Sequence, residues 1–186
     1  MGNTPLVSVQ NRFCCSTRRR VWVIGMAGAG KTSISLRLSL GKRARTHPTI
    51  VFDVEKMDYN GHQYTLYDWG YMCHKLWWTY DEKMHGIIFV IDSSDPEMLH
   101  HAAKQFTKML KEPRTKNIPI LVFANKQDRI GALSENQIRS ALPPYNENER
   151  ALRIQACSVS LGTGLYEGLE WLDNQLYSSS TKGLFY

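Results

Sequence analysis

The first 52 residues of this 186-residue chain contain no Asp or Glu, and all 17 acidic residues lie from Asp53 onward. The same stretch contains nine Lys and Arg residues. It therefore carries a charge of +9, the remainder carries −3, and the whole chain carries +6. Such an uneven distribution predicts that an anion binds near the N-terminal quarter of the protein.

Long apolar runs, internal repeats and linkers rich in Pro, Gly or Ser are also missing. No apolar run is long enough to cross a bilayer, which predicts a soluble or peripheral protein. The hydrophobic content of 42% is typical of a globular chain rather than a disordered one. We expect a single domain at residues 21–180, preceded by an N-terminal arm at 1–20 and followed by a C-terminal tail at 181–186.

The four cysteines contain no CxxC pair, and no secretory signal precedes them. They stand at Cys14, Cys15, Cys73 and Cys157. This spacing argues against a disulfide framework and against a zinc site. It indicates a reducing, cytosolic compartment.

Strand-like and helix-like segments alternate along the chain. Asn60-Gly61 predicts a hairpin turn, Asp95-Pro96 predicts a helix start, and Ser134 with Gln137 forms a capping-box pattern. The predicted strands cover residues 21–24, 51–57, 63–67, 86–91, 118–124 and 153–157, and the predicted helices cover 31–40, 97–111, a short segment from 134 to about 143, and 165–177. This order predicts an α/β domain with a mostly parallel sheet, helices on both faces, and a ligand at the carboxyl ends of the strands.

A phosphate-binding loop follows the first predicted strand directly. Residues 25–32 read GMAGAGKT, which satisfies G-x-x-x-x-G-K-[ST]. Small residues let the backbone wrap a polyphosphate, Lys31 reaches the β- and γ-phosphates, and the Thr32 hydroxyl binds Mg²⁺. The motif alone does not separate ATPases, GTPases and small-molecule kinases. The expected contacts come from Gly25, Ala27, Gly28, Ala29, Gly30, Lys31, Thr32 and Ser33.

A second motif predicts the identity of the base. Asn125-Lys126-Gln127-Asp128 follows a buried strand and matches N-K-x-D. An Asp carboxylate at this place accepts hydrogen bonds from N1–H and the exocyclic amine of guanine, and it rejects adenine by roughly 10⁴-fold. We expect Lys126 to pack on the ring and Asn125 to tie neighbouring loops together. A backbone N–H leaving the last strand should donate to the guanine carbonyl, from Ser158, Val159 or Ser160.

With these motifs, the chain resembles a small GTPase of the Ras superfamily and, within it, the Arf/Arl (ADP-ribosylation factor-like) family. The resemblance implies a P-loop NTPase three-layer fold, with a six-stranded, mostly parallel sheet of order 2-3-1-4-5-6 and an antiparallel second strand. It also implies GTP or GDP with Mg²⁺, which Thr49 coordinates when the γ-phosphate is present and Asp68 holds through water. The matching segments are the Met-Gly-Asn start, residues 25–32, 48–50, the Asn-Gly hairpin, 86–92, 124–128 and 164–169.

The segment after Asp68 departs from the family. Arf-like chains have a hydrophobic residue, two glycines and a Gln there, whereas this chain reads Trp69-Gly70-Tyr71-Met72. The Tyr71 amide could still donate to the γ-phosphate if no positive φ is required, but Met72 cannot position water. His74 is the nearest polar replacement, although a solvated helix-start residue is the plainer interpretation. The candidate catalytic positions are Lys31, Tyr71, Met72 and His74, with Gly70 beside the nucleotide, and we expect weak hydrolysis.

The N-terminus predicts membrane attachment. Gly2 becomes a myristoylation site once Met1 is removed, although the acyltransferase pattern asks for Ser or Thr where this chain has Leu6. A second signal could come from Arg18–Arg20 or from Cys14-Cys15. The alternative is that the arginines only solvate the entry to the first strand. The resemblance implies a cytoplasmic protein, held peripherally at the Golgi or another endomembrane and active in vesicle-mediated protein transport.

The expected partners are proteins, and nucleic acid is not among them. Phe52, Tyr67 and Tyr80 fall where Arf-like proteins place an exposed apolar triad that binds effectors, alongside exchange and activating proteins. A molecular switch is the first hypothesis, and a hydrolysis-deficient, nucleotide-locked binding scaffold is the second. A P-loop nucleotide kinase is disfavoured by N-K-x-D and by the lack of an Arg-rich lid.

Overall fold

The computed structural model describes residues 18–42, 44–47, 49–70, 83–145 and 150–182. Within them, strands and helices alternate as the sequence predicts. Their bounds are β1 Arg18–Gly25, α1 Lys31–Leu40, β2 Phe52–Tyr59, β3 His62–Trp69, β4 Gly86–Asp92, α2 Pro96–Lys111, a 3₁₀ turn at Pro113–Thr115, β5 Ile120–Asn125, α3 Glu135–Ala141, β6 Leu152–Ala156 and α4 Leu165–Lys182.

The six strands form one sheet of order β2-β3-β1-β4-β5-β6. β2 runs antiparallel to β3, and every other neighbouring pair is parallel. The predicted strand order and the antiparallel second strand are confirmed. The register pairs Val23 with Asp68 and Asp92 with Asn125, so the carboxyl ends of β1, β3, β4 and β5 meet at one edge.

Helices cover both faces of the sheet and enclose two cores. On β1, Trp22 and Ile24 point to one face, where Phe106 of α2 is among the side chains that pack on them. Val21 and Val23 point to the other face, which α1 and α4 cover. This alternation follows from the two-residue repeat of a strand that is buried on both sides. The three-layer fold is confirmed.

Local capping signals explain where the helices begin. The Asp95 carboxylate accepts a hydrogen bond from the Met98 N–H at 3.1 Å, and Ser134 forms a complete capping box with Gln137. The turn between β2 and β3 has positive φ at both Asn60 and Gly61, as the Asn-Gly signal predicts. In the described residues no helix has the length and apolar character needed to cross a membrane.

β1 begins three residues earlier than the sequence predicts. Arg18, Arg19 and Arg20 pair with residues 63–65 of β3, because that strand extends far enough to supply backbone partners. Arg19 is buried, and the Arg20 Nε donates to the Lys83 carbonyl oxygen at 2.7 Å. These three arginines therefore belong to the sheet, and the expected arm is shorter than 20 residues.

A buried carboxylate joins the β2–β3 hairpin to α4. Asp173 accepts hydrogen bonds from the Tyr64 hydroxyl and, at 3.0 Å, from Asn60 Nδ2. Tyr64 is fully buried, and its burial and the adjacent Asp173 raise the pKa of its hydroxyl far above the ordinary value. The hairpin turn and the strand that leads to Asp68 are thus held against the C-terminal helix.

His85 lies just before β4 and contacts Arg20 of β1, at the edge of the sheet opposite the carboxyl ends of the strands. Its ring Nδ1 accepts a hydrogen bond from the Arg20 backbone N–H at 2.9 Å. The His85 backbone N–H donates to the Arg20 carbonyl oxygen at 2.8 Å. Burial, with smaller effects from Arg20, Arg19 and Lys83, lowers the pKa of the imidazole to about 4. The native state therefore keeps this ring neutral at pH values where an unfolded histidine is charged.

The low pKa of His85 in the folded protein should make the protein less stable in mild acid. As pH falls from 6.5 toward 4, the unfolded histidine binds a proton and the native one does not, so the free energy of unfolding drops, by roughly 2 kcal/mol at pH 4.5. The His85→Asn variant keeps an acceptor for the Arg20 N–H but does not titrate. Its urea unfolding free energy should depend less steeply on pH in that window.

The matched control is His101→Asn, which changes an exposed histidine on α2. Its pH profile should match that of the unaltered protein. Parallel profiles for the protein and for H85N would contradict the assignment.

Candidate functional site

Two adjoining depressions lie at the carboxyl edge of the sheet. The larger has a volume of about 720 Å³ and reaches the N-K-x-D motif, and the smaller has about 420 Å³ and lies over the predicted phosphate loop. They form one continuous cleft, because both are lined by Gly28, Gly30, Ser33, Thr46 and His47.

The phosphate loop connects β1 to the N-terminus of α1. Of its predicted contacts, six line the cleft and two lie behind it. A Cβ on Gly25 would come within 2.3 Å of the Val90 carbonyl oxygen, so only glycine permits this turn against β4. Ala29 is fully buried. The six that line the cleft are Ala27, Gly28, Gly30, Lys31, Thr32 and Ser33.

Lys31 is folded back onto its own loop. Its Nζ donates to the carbonyl oxygens of Gly25, at 3.1 Å, and Met26, at 2.9 Å. Burial lowers the pKa of the ammonium group, and attraction to Asp68 offsets part of that shift. The charge therefore sits on the floor of the smaller depression, where an anion would compensate for its lost hydration.

Three oxygen-bearing side chains converge beside Lys31. The Thr32 hydroxyl donates to Asp68 Oδ2 at 2.5 Å, Thr49 Oγ1 donates to the same oxygen at 3.1 Å, and the two hydroxyl oxygens lie 2.9 Å apart. Asp68 is fully buried, and burial raises its pKa despite these hydrogen bonds. Its Oδ1 has no hydrogen-bond partner among the described residues. Two hydroxyls and a carboxylate with an unsatisfied oxygen are a donor set that fits a hard cation such as Mg²⁺.

Gly70 holds the chain segment that carries Thr49. Its N–H donates to the Val51 carbonyl oxygen at 2.9 Å, and a Cβ at this position would lie 2.5 Å from the Thr49 carbonyl oxygen. A side chain at residue 70 would therefore displace Thr49 from Asp68. Gly70 also lines the smaller depression.

Asn125 joins the phosphate loop to the loop after β6. Its buried side chain donates from Nδ2 to the Ala29 carbonyl oxygen at 2.9 Å and accepts from the Val159 N–H at 3.3 Å. The close approach depends on Gly30, since a Cβ there would lie 2.4 Å from Asn125 Nδ2. Asn125 thus ties the two loops together, as the sequence predicts.

Lys126 and Asp128 stand at the far end of the cleft. Lys126 has a positive φ of 68° and forms an ion pair with Asp92 Oδ2 at 2.5 Å. Burial disfavours the Asp92 carboxylate, but hydrogen bonds from Lys126 and Ser94 outweigh it and lower its pKa. Asp128 is exposed and accepts from the Ser158 hydroxyl at 2.6 Å, a bond that lowers its pKa.

The loop after β6 supports Asp128 and completes the cleft wall. Ser158 is buried, and its N–H donates to the Thr163 carbonyl oxygen. It therefore braces Asp128 from behind, whereas Val159 and Ser160 line the cleft. The N–H of Val159 is used by Asn125, and among the described residues the Ser160 N–H carries no hydrogen bond.

Comparison with known proteins agrees with this geometry. The sequence model of the Arf (ADP-ribosylation factor) family matches residues 6–176. The chain belongs to the Arf family. A solved structure of the Arl6 BBS3 small GTPase from Trypanosoma brucei, bound to the nucleotide analogue GppNp, is 26% identical and superposes with a TM-score of 0.76. The match covers 87% of this chain and 99% of that one. The protein is therefore a GTP-binding switch of the Arf/Arl group.

Five residues that line the cleft of this Arf-family protein were not among the predicted contacts. Ala44, Arg45, Thr46 and His47 lie between α1 and Thr49 and close one side of the larger depression. Arg129, directly after N-K-x-D, lines the same depression. For residues 44–47 the available signal was their position before Thr49, which places Arg45 near the nucleotide-facing edge without making it a contact.

The predicted effector triad of this Arf-family chain needs correction. Tyr67 is only 7% exposed, because β3 is an interior strand and its side chain belongs to the core on the α2 side of the sheet. Phe52 lies on the edge strand, is 37% exposed and packs on Trp69 with ring centroids 5.0 Å apart. Tyr80 lies outside the described residues, as do Tyr71, Met72, His74 and Gly2.

Substitution of Gly30 should disrupt the contact between the phosphate loop and Asn125. Gly30→Ala places a methyl group against Asn125 at a φ of 101°, so we expect guanine-nucleotide affinity to fall at least about tenfold and the free energy of unfolding by roughly 2 kcal/mol. Fluorescent GDP titration and urea unfolding measure both effects.

Gly131→Ala is the matched control. Its φ of 80° is equally unfavourable for alanine, but a Cβ there meets nothing within 4 Å. It should lose about 1 kcal/mol of stability and keep its nucleotide affinity. Equal nucleotide affinities in the two variants would show that the contact with Asn125 does not matter.

Proposed function

We propose that this protein is an Arf-like switch that binds GTP or GDP with Mg²⁺, hydrolyses GTP slowly, and recruits effector proteins at an endomembrane. The observation that carries the proposal is the bridge made by Asn125 between the phosphate loop and the loop after β6. It supports one nucleotide lying along the cleft, with its base at Asp128 and its phosphates at Lys31.

Base selection is assigned to Asp128. The hydrogen bond from the Ser158 hydroxyl keeps this carboxylate ionised and holds it at the cleft rim. An ionised carboxylate accepts from both N1–H and the exocyclic amine of guanine, whereas adenine offers no such donor pair. The Ser160 N–H, which has no partner among the described residues, is suited to donate to the guanine carbonyl.

The metal is assigned to Thr32, Thr49 and Asp68. When bound, Mg²⁺ offsets negative charge on the β- and γ-phosphate oxygens. Thr49 is the residue that couples this site to the rest of the surface, because the segment from Thr49 to Val51 also contacts Gly70. Within residues 49–54, the side chain of Ile50 is 81% exposed and that of Val54 is 43% exposed. The surface that a partner protein would contact therefore begins beside the position of the γ-phosphate.

The membrane part of the proposal rests on the N-terminal sequence. Gly2 would carry a myristoyl chain, and the remaining arm contributes Arg12 and the Cys14-Cys15 pair as a second signal. Effectors, exchange factors and activating proteins would meet the switch at the surface of the Golgi or another endomembrane. Phe52 is the member of the expected triad that the edge strand leaves accessible.

The nucleotide released from freshly purified protein tests the central proposal. Denaturation and chromatography should yield GDP, because a switch that has completed a turnover retains its product. ATP would contradict the assignment of the base, and the absence of any nucleotide would contradict the phosphate loop. The Asp128→Asn variant should lose guanine nucleotide while remaining folded, since its side chain is exposed.

Hydrolysis should be slow because Met72 stands where the family has Gln. Single-turnover hydrolysis of preloaded GTP is expected at or below roughly 10⁻⁴ s⁻¹. Met72→Gln should raise the rate, because a carboxamide can orient the attacking water, whereas Met72→Leu should leave it unchanged. A rate well above this scale in the unaltered protein, measured without any partner, would contradict the assignment.

A nucleotide-locked scaffold is the second candidate. The replacement of Gly and Gln by Tyr71 and Met72 favours it, since both changes affect the residues that act on the γ-phosphate. The released nucleotide distinguishes the two functions: the switch retains GDP and the scaffold retains GTP.

A further inference from the structure

The turn between β2 and β3 consists of Asn60 and Gly61. Both residues are exposed, and both have positive φ, at 49° and 77°. The Gly61 N–H donates no hydrogen bond to any of the described residues, and a Cβ on Gly61 would meet nothing within 4 Å. The peptide nitrogen of Gly61 is therefore open to approach by the side chain that precedes it.

The carboxamide of Asn60 can react with that nitrogen. Attack of the Gly61 nitrogen on Asn60 Cγ forms a cyclic succinimide, and the side-chain amino group leaves as ammonia with the Gly61 amide proton. Water then opens the ring to aspartate or isoaspartate, so the net change is the gain of water and the loss of ammonia. A side chain on the following residue obstructs this ring closure, and glycine has none. Asn60 is the one asparagine in the sequence that precedes a glycine.

The product of this reaction would face a carboxylate. Asn60 Nδ2 donates to Asp173 Oδ2 at 3.0 Å, and the Tyr64 hydroxyl donates to the other oxygen of the same group. Asp173 is buried beneath the hairpin. An ionised aspartate at residue 60 has no donor to offer and carries a charge of the same sign. The attraction between the hairpin turn and α4 thus becomes a repulsion.

The surroundings of the turn contribute further negative charge. Burial, and then the carboxylates of Glu170 and Asp173, raise the pKa of the neighbouring Tyr59 hydroxyl, and a hydrogen bond with Asn60 offsets part of that shift. The turn therefore lies close to two acidic residues of α4. The isoaspartate product has an additional effect, because its backbone runs through the former side-chain carbon and lengthens a turn that sets the register of β2 on β3.

We propose that Asn60 is a site of spontaneous deamidation and that the reaction releases the β2–β3 hairpin from α4. The intact amide holds the turn by its hydrogen bond to Asp173, and the carboxylate that replaces it repels the same group. The inference is independent of the proposed function, because the reaction requires only water and neither nucleotide nor metal.

Peptide mapping by mass spectrometry, after incubation of the full chain in mildly alkaline buffer at body temperature, tests the modification. The peptide that contains Asn60 should gain about one dalton, in aspartyl and isoaspartyl forms. Asn117 is the internal control, since it is exposed and has a positive φ of 64° but precedes Ile118. Asn60 should react at least about tenfold faster, because glycine leaves the peptide nitrogen uncovered. Equal rates at the two asparagines would overturn the proposal.

Variants at residues 60 and 173 test the consequence. Asn60→Gly removes the hydrogen bond and suits the turn, whereas Asn60→Asp also adds the charge. In urea unfolding, the folding equilibrium constant of N60D should be about tenfold below that of N60G. Combining Asn60→Asp with Asp173→Asn exchanges the two groups, places a donor opposite an acceptor again, and should recover most of the loss.

Hydrogen exchange locates the effect within the fold. The hairpin amides should exchange faster in N60D and in the incubated protein than in fresh protein, while those of β4 and β5 should be unchanged. Equal stability of N60D and N60G, no recovery in the exchanged pair, or hairpin exchange that stays unchanged would show that Asp173 does not oppose a carboxylate at residue 60. Any of these results would overturn the release of the hairpin.

Discussion

The site depends above all on the carboxamide of Asn125. A buried amide must satisfy both its donor and its acceptor, and here the donor reaches the phosphate loop at Ala29 while the acceptor reaches the loop after β6 at Val159. Those two loops follow β1 and β6, which lie on either side of β4 and β5 in the sheet. Gly30 permits the contact because it has no Cβ. One side chain therefore connects the base end and the phosphate end of the cleft.

The strand β3 provides a second constraint on the geometry of the site. Tyr64 near its start is bound to Asp173 of α4, and Asp68 near its end lies among the hydroxyls of Thr32 and Thr49. Because side chains on a strand alternate between faces, a one-residue slip would move Asp68 to the other face of the sheet. The hydrogen bond between Tyr64 and Asp173, far from the cleft, thus contributes to the position of Asp68 beside the two threonine hydroxyls.

The surface beside the cleft differs from what the family resemblance implies. With Tyr67 in the core, the described residues form an apolar surface near the site at the edge segment that exposes Ile50, Phe52 and Val54. These residues follow Thr49 directly, so the segment that is hydrogen-bonded to Asp68 continues into this apolar surface.

Sequence alone was sufficient for the order of elements, the Asn-Gly turn, the helix caps and the placement of residues 25–32 and 125–128 at the carboxyl edge of the sheet. Each depends on residues within a few positions of one another, so local backbone preferences and short motifs carry the information. The strand order was also predicted, through the resemblance to a family.

Tertiary packing decided the rest. Tyr67 is buried because β3 is interior, a consequence of strand order rather than of local polarity. Arg18–Arg20 are in the sheet because β3 is long enough to pair with them. Arg45 and His47 line the cleft because Gly41 and Thr49, eight residues apart in sequence, are anchored to different parts of the domain. In each case the outcome depends on which distant segment supplies the neighbouring surface, and no local pattern in the sequence records that choice.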